Sequence, residues 1–256
     1  MRTLLHRLLI LLLSLPALAT LPALAEERER GRENTLFQVS TLDSLIGGAY
    51  SGRVRFRTLE RRGDFGLGTF HRLDGEMVAL DGEYYRVRTD GRVSPVEPCE
   101  TTPFAAVTPF ESERSFNLAD AGTCAELQEA IEDHSLPSDV PLAIRVTGRF
   151  PKLETRSVPA QSEPYPPLAT VIADQTVFDL YDVRATLVGF WFPETFAGVN
   201  AAGFHFHAIT HDKRAGGHVL DCQPGRVRVD VDPAPKLVLN LADGRADSPP
   251  GRRCSR

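Results

Sequence analysis

Apolar positions along this chain recur mostly in short runs, broken by glycines and Asp-Gly pairs. Leu36-Phe37-Gln38-Val39 reads as a strand, and a short helix over Leu42 to Ile46 follows it. The Gly47-Gly48 pair stops that helix. Four segments come next, at 52–59, 66–73, 76–80 and 84–89, punctuated by Asp74-Gly75, Asp81-Gly82 and Asp90-Gly91. Asp-Gly between apolar runs is a hairpin signal, because both residues tolerate the positive φ that tight turns require. The first half therefore reads as a β-meander. Thr123 caps a helix over Cys124 to Asp133, with Ala125, Leu127, Ala130 and Ile131 as its apolar positions.

A second β-rich half begins near Leu136. Strands are predicted over 140–146, 170–172, 176–180, 184–191, 203–210, 217–220, 226–231 and 237–241, the last two extending the same sheet. The stretch from Pro159 to Leu168 is a proline-rich connection, and the tail from Ala242 is polar and irregular. The predicted fold class is α/β in the α+β sense and β-rich. It has two sub-domains on mixed or antiparallel sheets with few helices. Their predicted bounds are 26–135 and 136–256, with any metal site on strands of the C-terminal half.

Composition narrows the field. At 42% hydrophobic and 25% charged the chain has globular proportions, which excludes wholesale disorder and coiled coil. A formal charge of −5 leaves no basic excess to neutralise phosphates, so nucleic acid is excluded as a partner. Residues 1–25 have the marks of a signal peptide: Arg2, His6 and Arg7, then the apolar run Leu8 to Leu13, then Ala23-Leu24-Ala25 before a charged stretch. The run is shorter than the roughly 20 residues a bilayer span needs. The expectation is export, to the periplasm or medium, with cleavage near Ala25 and no stable membrane span afterwards. The mature chain then has 27 basic and 34 acidic side chains, a charge of −7.

Cys99, Cys124, Cys222 and Cys254 show no CxxC spacing, which argues against a four-thiolate zinc site. In an oxidising compartment they form two disulfides, of which Cys99–Cys124 and Cys222–Cys254 are the most local, or else stay as buried thiols.

The sharpest chemical feature is Gly203-Phe204-His205-Phe206-His207-Ala208-Ile209-Thr210. On a strand, His205 and His207 share a face roughly 7 Å apart, with Phe204, Phe206 and Ala208 facing the core on the other side. A hairpin turning around Asp212 to Gly217 would bring His218 beside His207 as a third ligand. Three neutral imidazoles suit zinc or another late divalent metal and leave positions open for catalysis. His211 sits at the edge of the turn and is not placed among the ligands.

Several further motifs carry a resemblance. They are Pro151 to Gln161, Pro164-Tyr165-Pro166-Pro167-Leu168, Thr186 to Phe190, Gly203 to His207, Asp212-Lys213-Arg214 and Gly216 to Asp221. Phe37 to Thr41, Gly63 to Phe70 and Leu73 to Met77 continue it in the N-terminal half. In this order the chain resembles the α-acetolactate decarboxylases from about residue 35 to residue 222. The resemblance implies a zinc enzyme that converts 2-acetolactate, a small anionic substrate, to (R)-acetoin and carbon dioxide. It implies His205, His207 and His218 as metal ligands, Glu76 as the catalytic glutamate and Arg156 as the active-site arginine, with Thr69 lining the pocket. Decarboxylation of a 2-hydroxy-3-keto acid leaves an enediolate, whose charge a Lewis-acidic metal and paired arginine donors stabilise, and Glu76 relays the proton. A homodimer is compatible with this reading.

One departure stands out. The family has a glutamate near the C-terminus that reaches the metal, whereas no glutamate follows Glu194 here. Asp243 or Asp247 would have to substitute, or water fills the position. Two other classes stay open: an exported cupin-like metalloenzyme, and a non-catalytic zinc-binding protein.

Overall fold

Short apolar runs separated by Asp-Gly pairs fold as antiparallel hairpins in the computed structural model, which describes residues 34–119, 121–135 and 139–241. In chain order the strands begin with β1 (Thr35–Val39), β2 (Val54–Arg55), β3 (Phe65–Thr69), β4 (Glu76–Leu80) and β5 (Glu83–Val87). They continue with β6 (Val93–Pro95), β7 (Thr101–Thr102), β8 (Ala105–Thr108), β9 (Arg114–Leu118) and β10 (Leu142–Ser157). The last are β11 (Thr176–Phe192), β12 (Gly203–Thr210), β13 (Gly216–Gln223), β14 (Val227–Pro233) and β15 (Lys236–Asn240). The helices are α1 (Leu42–Ile46), α2 (Phe56–Glu60), α3 (Cys124–Ser135) and α4 (Leu168–Ile172). Among the described residues no helix is long and apolar enough to cross a membrane.

A seven-stranded sheet runs β15-β1-β8-β3-β4-β5-β6, and a six-stranded sheet runs β11-β12-β13-β10-β14-β9. The β4–β5 hairpin closes on Asp81 and Gly82, at φ 53° and 82°, with Leu80 opposite Glu83. Both turn residues take the left-handed conformation, for which Asp-Gly is suited. The first sheet is mixed, because β15 lies parallel to β1, and the second is antiparallel. The β-rich fold class with few helices is what the sequence led us to expect.

The sheets pack face to face. Leu36, Phe65, Leu67, Val78 and Leu80 of the first meet Ala143, Val188, Phe190 and Ile209 of the second. The outer face of the first sheet is covered by Phe56 and Leu59 of α2 together with Phe70. Leu127 and Ile131 of α3 cover the outer face of the second, against Ile144, Phe150, Leu187 and Phe206. Each large apolar side chain so buried contributes about 1.5–3 kcal/mol. Strand parity then decides what lies between the sheets. Glu76 shares its face with Val78 and Leu80, and His205 and His207 share theirs with Ile209, so these polar groups face one another.

Several local expectations change. The predicted strand over 52–59 contains only β2 before α2 begins, because Phe56 and Leu59, both fully buried, share one helical face. Thr170 to Ile172 belongs to α4 rather than to a strand; the turn starts after Pro167, and Val171 is its buried residue. The two segments 176–180 and 184–191 are one strand, β11, with Asp182 at φ 55° inside it. Neither β8, mostly alanine and valine, nor the edge strand β9 gave a periodic signal. β9 joins the second sheet through β14, while β15 leaves the second half of the chain to pair with β1 in the first.

The disulfides are also rearranged. Cys124 bonds Cys222, 98 residues away, so the local pairs Cys99–Cys124 and Cys222–Cys254 do not form. The reason is packing: α3 lies across the face of the second sheet, and its first residue meets β13 there. Cys99 is disulfide-bonded as well, which rules out buried free thiols among the described residues. The predicted leader at 1–25, Asp243, Asp247 and Cys254 lie outside the described residues.

Candidate active site

β12 and β13 pair antiparallel, and the register sets His207 directly opposite His218. The expected hairpin therefore forms, and His205 joins them from the same face of β12. One ring nitrogen from each of the three lies within 4.8 Å of those of the others. His205 Nε2 is 3.2 Å from His218 Nδ1, and His211 stays exposed in the turn outside the group. Gly217, at φ 131°, allows the close approach, since a Cβ there would sit 2.5 Å from the Arg156 carbonyl oxygen.

The buried His207 places Nδ1 2.7 Å from the Met77 carbonyl oxygen. A carbonyl only accepts, so Nδ1 carries the proton and Nε2 keeps its lone pair for a ligand. Burial, with Arg156 adding to it, lowers His205 to about 4, and it pulls His207 and His218 well below their usual range. All three rings are therefore neutral at pH 7, the form that binds metal. His205 Nδ1 is buried without a partner among the described residues. Three desolvated, neutral, converging imidazoles fit a late divalent cation.

Glu76 begins β4 and is 5% exposed. Its Oε2 lies 3.6 Å from His207 Nε2, and its Oε1 lies 3.4 Å from Arg156 Nη1. Desolvation raises the carboxyl to about 7, against the opposing pull of the Arg156 charge. A carboxyl at that value exchanges a proton near neutrality. Arg156, near the end of β10, sits opposite His218 in the β10–β13 register. Thr69 lies opposite Glu76 in the β3–β4 register, and its Oγ1 donates to the Gly75 carbonyl oxygen at 2.9 Å.

The sequence-derived residues Glu76, Arg156, His205, His207, His218 and Thr69 all line one cavity of about 360 Å³. What the sequence did not mark is the apolar part of the lining: Leu42, Leu45, Leu73, Phe104, Val158 and Leu168. The signal for Leu42 and Leu45 was present in the spacing of α1. Leu73, in contrast, closes a single 3-10 turn over His71–Leu73, and Phe104 lies in the bend between β7 and β8, where neither has a periodic signal. The cavity thus combines polar groups able to hold a cation and a carboxylate with apolar side chains suited to short alkyl groups.

The profile of the α-acetolactate decarboxylase family matches residues 36–247. An α-acetolactate decarboxylase of Methanosarcina mazei is 45% identical over 209 residues, covering 81% of this chain and 72% of that protein. One from Methylococcus capsulatus is 42% identical over 212 residues, covering 82% and 81%. The crystal structure of the Bacillus subtilis enzyme superposes with a TM-score of 0.79 at 35% identity, over 84% of this chain and 94% of that one.

Proposed function

The chain belongs to the α-acetolactate decarboxylase family, and from that premise we propose that it is a zinc-dependent enzyme forming (R)-acetoin and carbon dioxide from 2-acetolactate. The single observation that carries the metal and residue assignment is the convergence of His205, His207 and His218 on one cavity with Glu76 and Arg156. A zinc ion held by the three imidazoles supplies Lewis acidity toward the substrate's oxygens.

The remaining work falls to the chain's own side chains. Arg156 offers paired N–H donors to the substrate carboxylate or to an oxygen that gains charge as carbon dioxide leaves. The electron pair of the breaking C–C bond passes into the neighbouring ketone, leaving an enediolate. Glu76, with its carboxyl near 7, donates its proton to the carbon that lost the carboxyl group, on the face it occupies, and is reprotonated from solvent. Delivery from one face sets the handedness of the product. Leu42, Leu73, Phe104 and Leu168 take the alkyl end of the substrate and keep bulk water from the site.

The test is turnover of racemic 2-acetolactate by purified protein, followed as acetoin and carbon dioxide. A chelator should abolish activity and zinc should restore it. Full activity in a His205→Ala, His207→Ala double variant would overturn the metal assignment. Zinc-replete protein without carbon dioxide release would instead support a binding protein. Export belongs to the same proposal: protein recovered from outside the cytoplasm should begin at Glu26 on N-terminal sequencing.

A further inference from the structure

We propose that Thr155 and Ser157 are positioning residues that hold Arg156 between the metal-ligand strand and the strand behind Glu76. This rests on the decarboxylase reading above. Thr155 and Ser157 flank Arg156 on β10, and both are fully buried. Thr155 Oγ1 donates to the Gly216 carbonyl oxygen at 2.9 Å, two residues before His218 on β13. Ser157 Oγ donates to the Val87 carbonyl oxygen at 2.9 Å, and Val87 lies directly opposite Glu76 in the β4–β5 register. The two hydroxyls tie the backbone on either side of Arg156 to both halves of the site.

The need for such ties is visible in the pairing. The β10–β13 register shifts between Glu154 and Thr155, where one strand carries an extra residue. The extra residue is Leu220 on β13, so the ladder is interrupted on the metal-ligand side of Arg156, while β11 pairs with β10 without a break on the other side. Thr155 is the first residue of β10 past the shift, Arg156 follows it, and Ser157 is the last of the strand. The Arg156 Nη1–Glu76 Oε1 contact is already long at 3.4 Å, so a small displacement breaks it. A buried Thr or Ser on a strand is replaceable in shape by Val or Ala. What those residues lack is the hydroxyl that reaches the neighbouring carbonyl.

The experiment compares Thr155→Val, Ser157→Ala and Thr155→Ser with the wild type for kcat, KM and bound zinc, below the melting temperature of each. We expect Thr155→Val and Ser157→Ala each to lower kcat by about 10- to 100-fold with zinc content unchanged, the scale for a displaced supporting contact. Thr155→Ser, which keeps the hydroxyl, should stay within about threefold of wild type. In an Arg156→Ala background both substitutions should become nearly silent, because the group they position is gone. Wild-type kcat with only a lower melting temperature would reduce the two residues to structural roles. An undiminished loss in the Arg156→Ala background would mean that they act elsewhere. Either result overturns the proposal. Crystal structures of Thr155→Val and Ser157→Ala test it without turnover: the guanidinium should leave Glu76, and an unmoved Arg156 would refute the positioning role even if 2-acetolactate were not the substrate.

Discussion

In the proposed reaction Glu76 is the proton donor, and its burial is what suits it to that part. Its carboxyl is raised to about 7 by desolvation, with Arg156 holding it from rising further. Glu76→Gln keeps the shape and removes the proton, so kcat should fall by about 10²- to 10⁴-fold while zinc content, measured by metal analysis, is retained. Loss of zinc in that variant would make Glu76 a ligand rather than a proton donor. Asp232 offers a separate pH test away from the cavity. Burial raises its carboxyl to about 6, against the backbone N–H of Glu111, and Glu113, Glu111 and Asp64 add their charges. A carboxyl raised in the folded state favours folding fully below about pH 4, and that benefit is lost as pH rises through about 6. Asp232→Asn keeps an acceptor for Glu111 and removes the charge. Urea unfolding at pH 8 should show it about 1–2 kcal/mol more stable than wild type, with the neighbouring carboxylates partly screened by water, and about equal at pH 4. An equal gain at both pH values would rule out titration of this group as the cause.

At the level of elements, hairpins were the most legible part of the sequence. Asp81-Gly82 turned the chain where its φ preferences require, and the segment from Gly203 to Thr210 formed β12 with the bounds its pattern indicated. Elements whose local pattern was ambiguous went the other way. Thr170-Val171-Ile172 has strand composition, yet it closes a helical turn after Pro167 because burying Val171 decides the outcome. The Cys124–Cys222 bond staples α3 to β13, the strand that carries His218, across a separation of 98 residues. Replacing both cysteines with serine should cost about 2–5 kcal/mol in denaturant unfolding under non-reducing conditions. A cost below about 1 kcal/mol would show that packing of Leu127 and Ile131 alone holds the helix.

Across the whole molecule, function depends on two sheets meeting with the right faces. Phe190 is 1% exposed between them and meets Phe65 edge-on with ring centroids 6.2 Å apart. Phe190→Ala should cost about 3–5 kcal/mol by urea unfolding, and a much smaller loss would mean that the sheets repack without it. The sequence by itself determined what short-range sterics and periodicity control. That includes the β-rich class, the turns, the shared face of His205 and His207, and the antiparallel return of His218. Family resemblance added Glu76 and Arg156, which no local pattern marks as special. Only the tertiary structure decided that β15 pairs with β1, that Cys124 finds Cys222, and that Leu73 and Phe104 wall the cavity. It also decided that Thr155 and Ser157 hold Arg156 beside Glu76. The physical reason is one of range: φ preferences and strand parity act over a few residues, whereas partners distant in sequence are chosen by which apolar faces can be buried together.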